Sequence, residues 1–566
     1  MAGKIFDPIP LIPCAPEPGV CRAGIPIAGF EENLRHPAIV FSLREDKQQV
    51  KKILDNKAVI ILALLLLMFL LRSVFFGLPL LNDEGMYGYV GQRILEGDLP
   101  YRDVEDNKPP ILYFIYAAAL FIFGNVSERG IRIFAALFSA GTLIYLFLLA
   151  ELLFDRKAAL ISSTLFAALS SGMSFLGWTA EAEIFMTLPL MATGYFFFKG
   201  VTGAPKEFAK SGLALGAAFF IKSTALAHLL FLLPYVVIAL WSEKKRLYAS
   251  LAYFSIGFAS VALAVLFYLL STDTLADFIK DVIFYNMVYV STDSSPLSAV
   301  KLLIYKFFNE GMAEEISLFL ILAVSKTVHS LVAERTRANV FSMGLLLVTL
   351  IEYCHGGKFF AFYLFPAIPV LLLISGETMR GLWDRKDILV RTFLIVVTAF
   401  MGYLAVDFNM YFLRDPGRFS LHPRNKVNAV TREIALSLRE KVGPGDYVYN
   451  WGVEWELYFY FAKKVPIVHL DLDHLYYLIE SRKTKKPAFL EKFRESFAEE
   501  IQTENIRKLS EKPPIFFIIS NPRPTFENTN KGAFLFQEME KLVHTRYKLV
   551  KAVEGIRVYQ LLKSHD

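Results

Sequence analysis

The sequence predicts a polytopic α-helical membrane protein with a C-terminal soluble α/β domain. Three observations predict it. The chain is 54% hydrophobic and only 20% charged, with 51 Phe among 566 residues, and its mean hydropathy of +0.42 lies above that of soluble globular chains. Its apolar residues gather in runs close to the roughly 20 that a helix needs to cross about 30 Å of hydrocarbon. Beyond residue 409 the pattern changes to short strand-like runs mixed with charged helical stretches.

In chain order, residues 1–57 form an N-terminal extension. Its first 45 residues are rich in Pro and Gly and hold no sustained apolar core, so no cleaved signal peptide is expected and the first apolar run stays as an anchor. Eleven runs follow, at 58–81, 131–154, 157–175, 183–199, 209–223, 225–241, 247–270, 314–332, 338–353, 358–376 and 391–409. A twelfth, 109–124, is short, opens on Pro109 and Pro110 and ends at Gly124. Cytoplasmic loops hold the Lys and Arg excess. With 109–124 lying along the interface and the N-terminus inside, each inside loop is basic: Lys51, Lys52 and Lys57; Arg156 and Lys157; Lys199, Lys206 and Lys210; Lys244, Lys245 and Arg246; Arg335 and Arg337; Arg380, Arg385, Lys386 and Arg391. If 109–124 crossed, every later loop would invert. Residues 58–409 are therefore read as about eleven transmembrane helices in an inner or plasma membrane, and 410–566 as an extracytoplasmic domain. Its strands are expected at "DYVYNWG" (446), "PPIFFIIS" (513) and "YKLVKAVEGIRVYQLL" (547), and a charged helix at 489–509.

Composition also excludes functions. The 60 basic residues exceed the 54 acidic ones only slightly and sit in short clusters beside apolar runs, the mark of topology and not of nucleic-acid binding. Cys14, Cys21 and Cys354 are the three cysteines, too few and too far from the hydrophilic part for a disulfide framework or a cysteine zinc cluster. No Gly-rich nucleotide loop is seen.

Ionisable groups collect at the helix ends assigned to the outer face. The stretch "LNDEGMYGYVGQRILEGDLPYRDVEDNKPPILYF", residues 81–114, holds seven carboxylates directly after the first run. To Asp83, Glu84 and Lys108 are added Glu181 and Glu183 before the fourth run, Lys222 between the fifth and sixth, and His355 and Lys358 between the ninth and tenth. A charge at membrane depth costs about 2.5–3.5 kcal/mol on insertion scales, so this gathering points to a shared polar cavity. Each group also has a plainer reading. Asp83 can cap a helix starting at Glu84, Lys108 can snorkel, and Lys222 and Lys358 can be end anchors. Glu181 and Glu183 are two apart, so on a helix at most one faces the cavity. Arg72, inside the first run, is expected to snorkel outward or to meet a phosphate. No His pair shows ligand spacing, so no metal ligands are assigned; the carboxylates leave a divalent metal open, and no other cofactor is called for.

The pattern Asp-Glu after the first span, then Tyr, Gly-x-x-Pro-Tyr and Lys-Pro-Pro stands here as Asp83, Glu84, Tyr87, Gly97, Pro100, Tyr101, Lys108, Pro109 and Pro110. It resembles the first outer loop of GT-C glycosyltransferases of the protein O-mannosyltransferase and aminoarabinose transferase type. Further echoes are "EIFM" (183), "GLALGAAFFIKSTAL" (212), "GKFFAFYLFPAIP" (357) and "VYNWGVEWELYFYFAKKVP" (448), so the resemblance covers most of residues 58–470. Where relatives often carry His-Tyr, this chain has Phe362 and Tyr363. The resemblance implies the GT-C fold, two juxtamembrane helices in the first outer loop, and transfer of one sugar from a polyprenyl-phosphate donor to an acceptor hydroxyl of a lipid, polysaccharide or protein. It implies Asp83 as general base, with Glu84 or Glu183 positioning the acceptor or balancing charge. Lys108 would hold the phosphate, with Lys222, Lys358 and Tyr363 as partners and Tyr87, Tyr101 and His355 lining the substrate site. The competing classes are a secondary transporter, since intramembrane charges also mark ion paths, and an inactive lipid-binding protein of the same fold. The absence of internal repeats with broken midplane helices speaks against the transporter.

Overall fold

A computed structural model describes residues 56–172, 175–290, 296–309, 312–333, 335–385, 423–452, 454–465, 488–520 and 532–562, with a few positions between 387 and 403. Residues 63–566 form one compact unit. Of the other, residues 1–62, only the start of the first helix is described, so the expected tail and Cys14 and Cys21 lie outside the described residues.

The helices are α1 (Lys57–Ser73), α2 (Asn82–Leu95), α3 (Pro110–Phe123), α4 (Glu128–Leu153), α5 (Arg156–Leu169), α6 (Ala182–Thr202), α7 (Glu207–Ile221), α8 (Leu229–Ala239), α9 (Lys244–Ser271), α10 (Pro296–Asn309), α11 (Met312–Val332), α12 (Arg337–Cys354) and α13 (Ala367–Asp384). Among the described residues, α4, α6, α9 and α12 are each long and apolar enough to cross a membrane, and α3, α8 with the turn before it, and 316–332 are shorter apolar helices. The stretch between the first and second apolar runs holds two helices, α2 and α3, the number the family resemblance implies.

Three expected boundaries move. The first run ends as a helix at Ser73, ahead of Gly77 and Pro79. The fifth and sixth are divided at Lys222, whose backbone is extended (φ −150°, ψ 125°) between α7 and a 3₁₀ turn at Ser223–His228. The tenth begins as α-helix at Ala367, not at 358. Pro366 and Pro369 lack the N–H groups that would bond the carbonyls of a preceding helical turn, and the stretch before them forms short 3₁₀ turns at His355–Gly357 and Ala361–Leu364 instead. The run at 391–409 and the boundary at 410 lie largely outside the described residues.

The C-terminal part holds α14 (Pro423–Arg439), β1 (Val448–Gly452), α15 (Glu456–Phe461), α16 (Ala488–Glu511), β2 (Phe516–Ser520), α17 (Gly532–Arg546), β3 (Tyr547–Val553) and β4 (Ile556–Leu561). The sheet order is β1-β2-β4-β3, with β1 and β2 parallel and the rest antiparallel. Every residue of β1 and β2, the parallel pair at one edge of the sheet, is buried, as strands covered on both faces are. β3 and β4 are joined through Glu554 (φ 48°) and Gly555 (φ 83°), two consecutive left-handed residues whose twist suits a tight hairpin.

Candidate functional site

α2 is the element on which the site is built, and the C-terminal part holds it in place. A Cβ on Gly85 would stand 2.3 Å from the Glu456 Cα, and one on Gly88 2.7 Å from the Phe459 ring, so only glycines allow α2 to lie this close to α15. Glycines three apart on one helix face are the sequence signal for this contact. The Leu80 N–H donates to the Tyr460 hydroxyl (2.9 Å), which donates to Glu128 (2.8 Å), itself paired with Arg432 (2.5 Å).

The two acids that open α2 do different work. The expectation that Asp83 caps the helix is corrected: the helix starts at Asn82, and it is Glu84 that accepts the Leu81 N–H (2.8 Å). Glu84 is fully buried and also accepts from Arg132 Nη2 (2.6 Å) and from the Ala180 N–H (2.6 Å). Arg132 in turn donates to the Phe75 and Pro79 carbonyls and lies 4.5 Å from the Trp178 ring centroid. Glu84 thereby ties α2, α4 and the loop before α6 together, with both oxygens engaged. Asp83 is half-buried, and its Oδ2 accepts from the Tyr87 hydroxyl at 3.4 Å, a long contact that leaves the carboxylate able to take another donor.

Lys108 stands near the same tyrosine, its Nζ 5.8 Å from the Tyr87 ring centroid and 2.5 Å from Asn107 Oδ1. The chain is steered there by a tight turn. Tyr101 adopts the left-handed region (φ 73°), its N–H donates to the Val104 carbonyl (2.8 Å), and its buried hydroxyl donates to the Lys108 carbonyl (2.8 Å). Tyr101 thus fixes the Lys108 backbone. Beside it Asp106 is buried, which raises its carboxyl above the usual range, with Asp83 pushing the same way and Lys108 opposing.

Glu181 and Glu183 correct a second expectation. Glu181 precedes α6 in extended conformation (φ −63°, ψ 156°), so helical spacing does not separate it from Glu183. Both are buried and both act on Tyr87, whose hydroxyl is held protonated chiefly by burial and then by Asp83, Glu181, Asp106 and Glu183. Burial, then Asp83, Glu84 and Glu183, lift the Glu181 carboxyl well above its ordinary value. Glu183 is ion-paired with Lys222, whose Nζ also lies 3.7 Å from the Tyr363 ring centroid. Lys358 stacks its Nζ 4.9 Å from the Tyr289 centroid. His355 is exposed but is held below its ordinary value by partial burial and by Lys222. Arg72 neither snorkels nor reaches these groups; it is buried and donates to the Ser170 carbonyl (2.8 Å). Glu352, in the ninth run, joins this group without a sequence motif to mark it: it accepts from Thr224 (2.6 Å), two residues after Lys222.

Asp83, Tyr87, Lys108, Glu181, Glu183, Lys222, His355 and Tyr363 are thus linked through one another, whereas Lys358 packs on Tyr289 and Arg72 on the Ser170 carbonyl. One group gathers the acids Asp83, Asp106 and Glu181 about Tyr87 together with Lys108, and a second holds Lys222, paired with Glu183 and set against the Tyr363 ring. Such a site can offer a carboxylate to a hydroxyl and ammonium groups to an anion within the same space. Among the described residues no group of three or more His, Cys, Asp or Glu is placed to hold a metal ion.

A sequence family described as dolichyl-phosphate-mannose-protein mannosyltransferase matches residues 107–271, from Asn107 to the end of α9. Among solved structures, ArnT from Cupriavidus metallidurans bound to undecaprenyl phosphate superposes with a TM-score of 0.59 at 16% identity, over 90% of this chain and 98% of that one. The same protein in its apo state gives 0.59 at 15%, over 89% and 97%. The archaeal oligosaccharyltransferase AglB from Archaeoglobus fulgidus, in complex with an inhibitory peptide and a dolichol-phosphate, gives 0.50 at 12%, over 89% and 74%. No curated protein matches the chain. At these identities the likeness is one of fold, shared with ArnT and AglB, members of the group that the first-loop residues resemble.

Proposed function

We propose that this protein transfers a single sugar from a polyprenyl-phosphate donor to an acceptor hydroxyl on the extracytoplasmic side of the membrane, with inversion at the anomeric carbon. The observation that carries the reading is the Asp83–Tyr87–Lys108 arrangement, a half-buried carboxylate at the hydroxyl and an ammonium near the ring of one tyrosine. Asp83 takes the acceptor proton as the acceptor oxygen bonds to the anomeric carbon. The bond from that carbon to the phosphate oxygen breaks, and the leaving phosphate gathers charge beside Lys108, with Lys222 and Lys358 as further cations. Because the carboxylate serves the acceptor and does not attack the sugar, one displacement inverts the configuration. Glu183 balances Lys222 until the phosphate arrives, and Glu84 holds α2 so that Asp83 keeps its position. Tyr87, Tyr101, Tyr363 and His355 shape the space around the donor. The bound lipid phosphates named for ArnT and AglB support a lipid-linked donor, and the basic inside loops support the orientation.

The test uses the full chain in lipid nanodiscs with a panel of polyprenyl-phosphate sugars and lipid, polysaccharide and protein acceptors. The expected result is release of free polyprenyl phosphate matched by one sugar on the acceptor, with the anomeric proton coupling inverted relative to the donor. Solute uptake in proteoliposomes without sugar transfer, or a product of retained configuration, contradicts the reading.

A further inference from the structure

Glu352, in the last turn of α12, brings a carboxylate to the site that the transfer chemistry above does not use. It is buried, as are its neighbours Lys222, His228 and Glu183. The carboxylate holds the Ser223–His228 turn near both ends: Oε1 accepts from the Thr224 hydroxyl at 2.6 Å, and Oε2 lies 3.9 Å from His228 Nδ1. That nitrogen is also 3.2 Å from the Ala225 carbonyl, which can only accept, so it carries the proton and turns a positive edge toward Oε2. Lys222 immediately precedes the turn, and its carbonyl accepts the Ala225 N–H (3.2 Å). A side chain of α12 thereby fixes the break that presents the Lys222 ammonium to Glu183 and to the Tyr363 ring.

We infer that Glu352 is a positioning residue for the donor phosphate, acting through Lys222: its bond to Thr224 fixes the turn, and its charge limits how strongly the ammonium draws an arriving anion. The inference rests on the sugar-transfer reading, in which Lys222 is one of the cations beside the phosphate, and adds what controls that cation. A glutamine would accept the same Thr224 bond without an ionisable group at membrane depth, so the clamp alone does not account for a carboxylic acid here. Lys222 and Glu183 are the charged side chains that act on Glu352. His228 stands at the other end of the turn, and Tyr353, His355 and Lys358 follow in the chain. One ammonium thus serves two carboxylates. With both ionised the trio is net negative and repels a phosphate; a proton on Glu352 makes it neutral. Phosphate binding should therefore take up a proton from solvent, and affinity should fall as pH rises through the range in which Glu352 ionises. The same ionisation favours departure of the product, because a polyprenyl phosphate monoester carries more negative charge than the donor diester.

The test measures binding of methyl farnesyl phosphate, a diester whose single charge is constant from about pH 5 to 8, to the full chain in nanodiscs. Wild-type affinity should fall roughly three- to tenfold across that range, the effect of one added charge at a partly screened distance. Glu352→Gln, which keeps an acceptor for Thr224 and removes the charge, should hold the tight low-pH affinity at the high end. Thr224→Val, which frees the turn and keeps the carboxylate, should weaken binding about three- to tenfold at both ends, on the order of one lost hydrogen bond. Opposite signs for the two variants at high pH are what a merely structural Glu352 would not produce. The same pH slope in Glu352→Gln as in wild type, or weaker binding by Glu352→Gln at high pH, would overturn the inference. If Lys108→Ala weakens binding while Glu352→Gln leaves the slope, this inference falls and the transfer reading stands. A chain that binds the diester with the expected slopes and moves no sugar would sink the transfer reading and leave Glu352 as the control of a phosphate site.

Discussion

The acidic and the lysine-aromatic sides of the site are built in contrasting ways. The acidic side is buried and tied by directional hydrogen bonds: Glu84 accepts three donors, Asp106 accepts the Asn107 N–H (2.6 Å), and Tyr101 fixes the Lys108 carbonyl. In the second group Lys222 is buried, Lys306 and Lys358 are partly exposed, and all three lie against ring faces, contacts with broad angular tolerance. A proton acceptor needs a fixed position, while the cations must exchange one neighbour for an arriving anion. The difference in construction matches that difference in task.

The largest effect should come from breaking the rigid side. Glu84→Ala or Arg132→Ala leaves a fully buried charge without its partner, a loss of about 3–5 kcal/mol, read as a large fall in the thermal midpoint. Replacing both by apolar residues should recover part of it, and equal midpoints for wild type and single variants would remove Glu84 as the anchor of α2.

A second effect sharpens how the acidic side is held. The Glu456 carboxyl, buried behind α2 and accepting from Thr431 (2.7 Å), is pushed up to about 8 by burial, with Glu454 adding to the shift. Its folded value lies above its ordinary 4.5, so between those pH values the folded chain binds the extra proton and stability falls as pH rises through that window. Glu456→Gln should flatten the fall of the thermal midpoint between pH 5 and 8, and an unchanged slope would place its origin elsewhere.

Much of the acidic side was legible because it is nearly continuous in sequence: Asp83, Tyr87, Tyr101 and Lys108 lie within one loop and its flanking helix. The rest depends on contacts that sequence does not display. Glu84 looked equivalent to Asp83 until Arg132, 48 residues on, and the Ala180 N–H, 96 residues on, were found against it. Glu181 was misjudged because helical spacing was applied to a residue outside the helix. The aromatic side is assembled from α10, the break at Lys222 and the 355–364 turns, three segments with no common motif. In the fold, strands and helices of the C-terminal part were readable from alternation and charge, whereas the late start of α13 is written only in Pro366 and Pro369.

The smallest effect tests the bridge between the two sides. Tyr87→Phe removes a long hydrogen bond to Asp83 and keeps the ring beside Lys108, so transfer should fall only severalfold, on the order of one weak hydrogen bond, with donor KM little changed. A loss as deep as that of an Asp83 variant would make the hydroxyl itself a proton carrier.

Asp83→Asn is the most direct measurement, because it changes one half-buried carboxylate to an amide of the same shape. Single-turnover transfer should drop about 10²- to 10⁴-fold while the thermal midpoint and donor affinity stay at wild-type values. Wild-type transfer by Asp83→Asn would contradict the account, however well the variant folds.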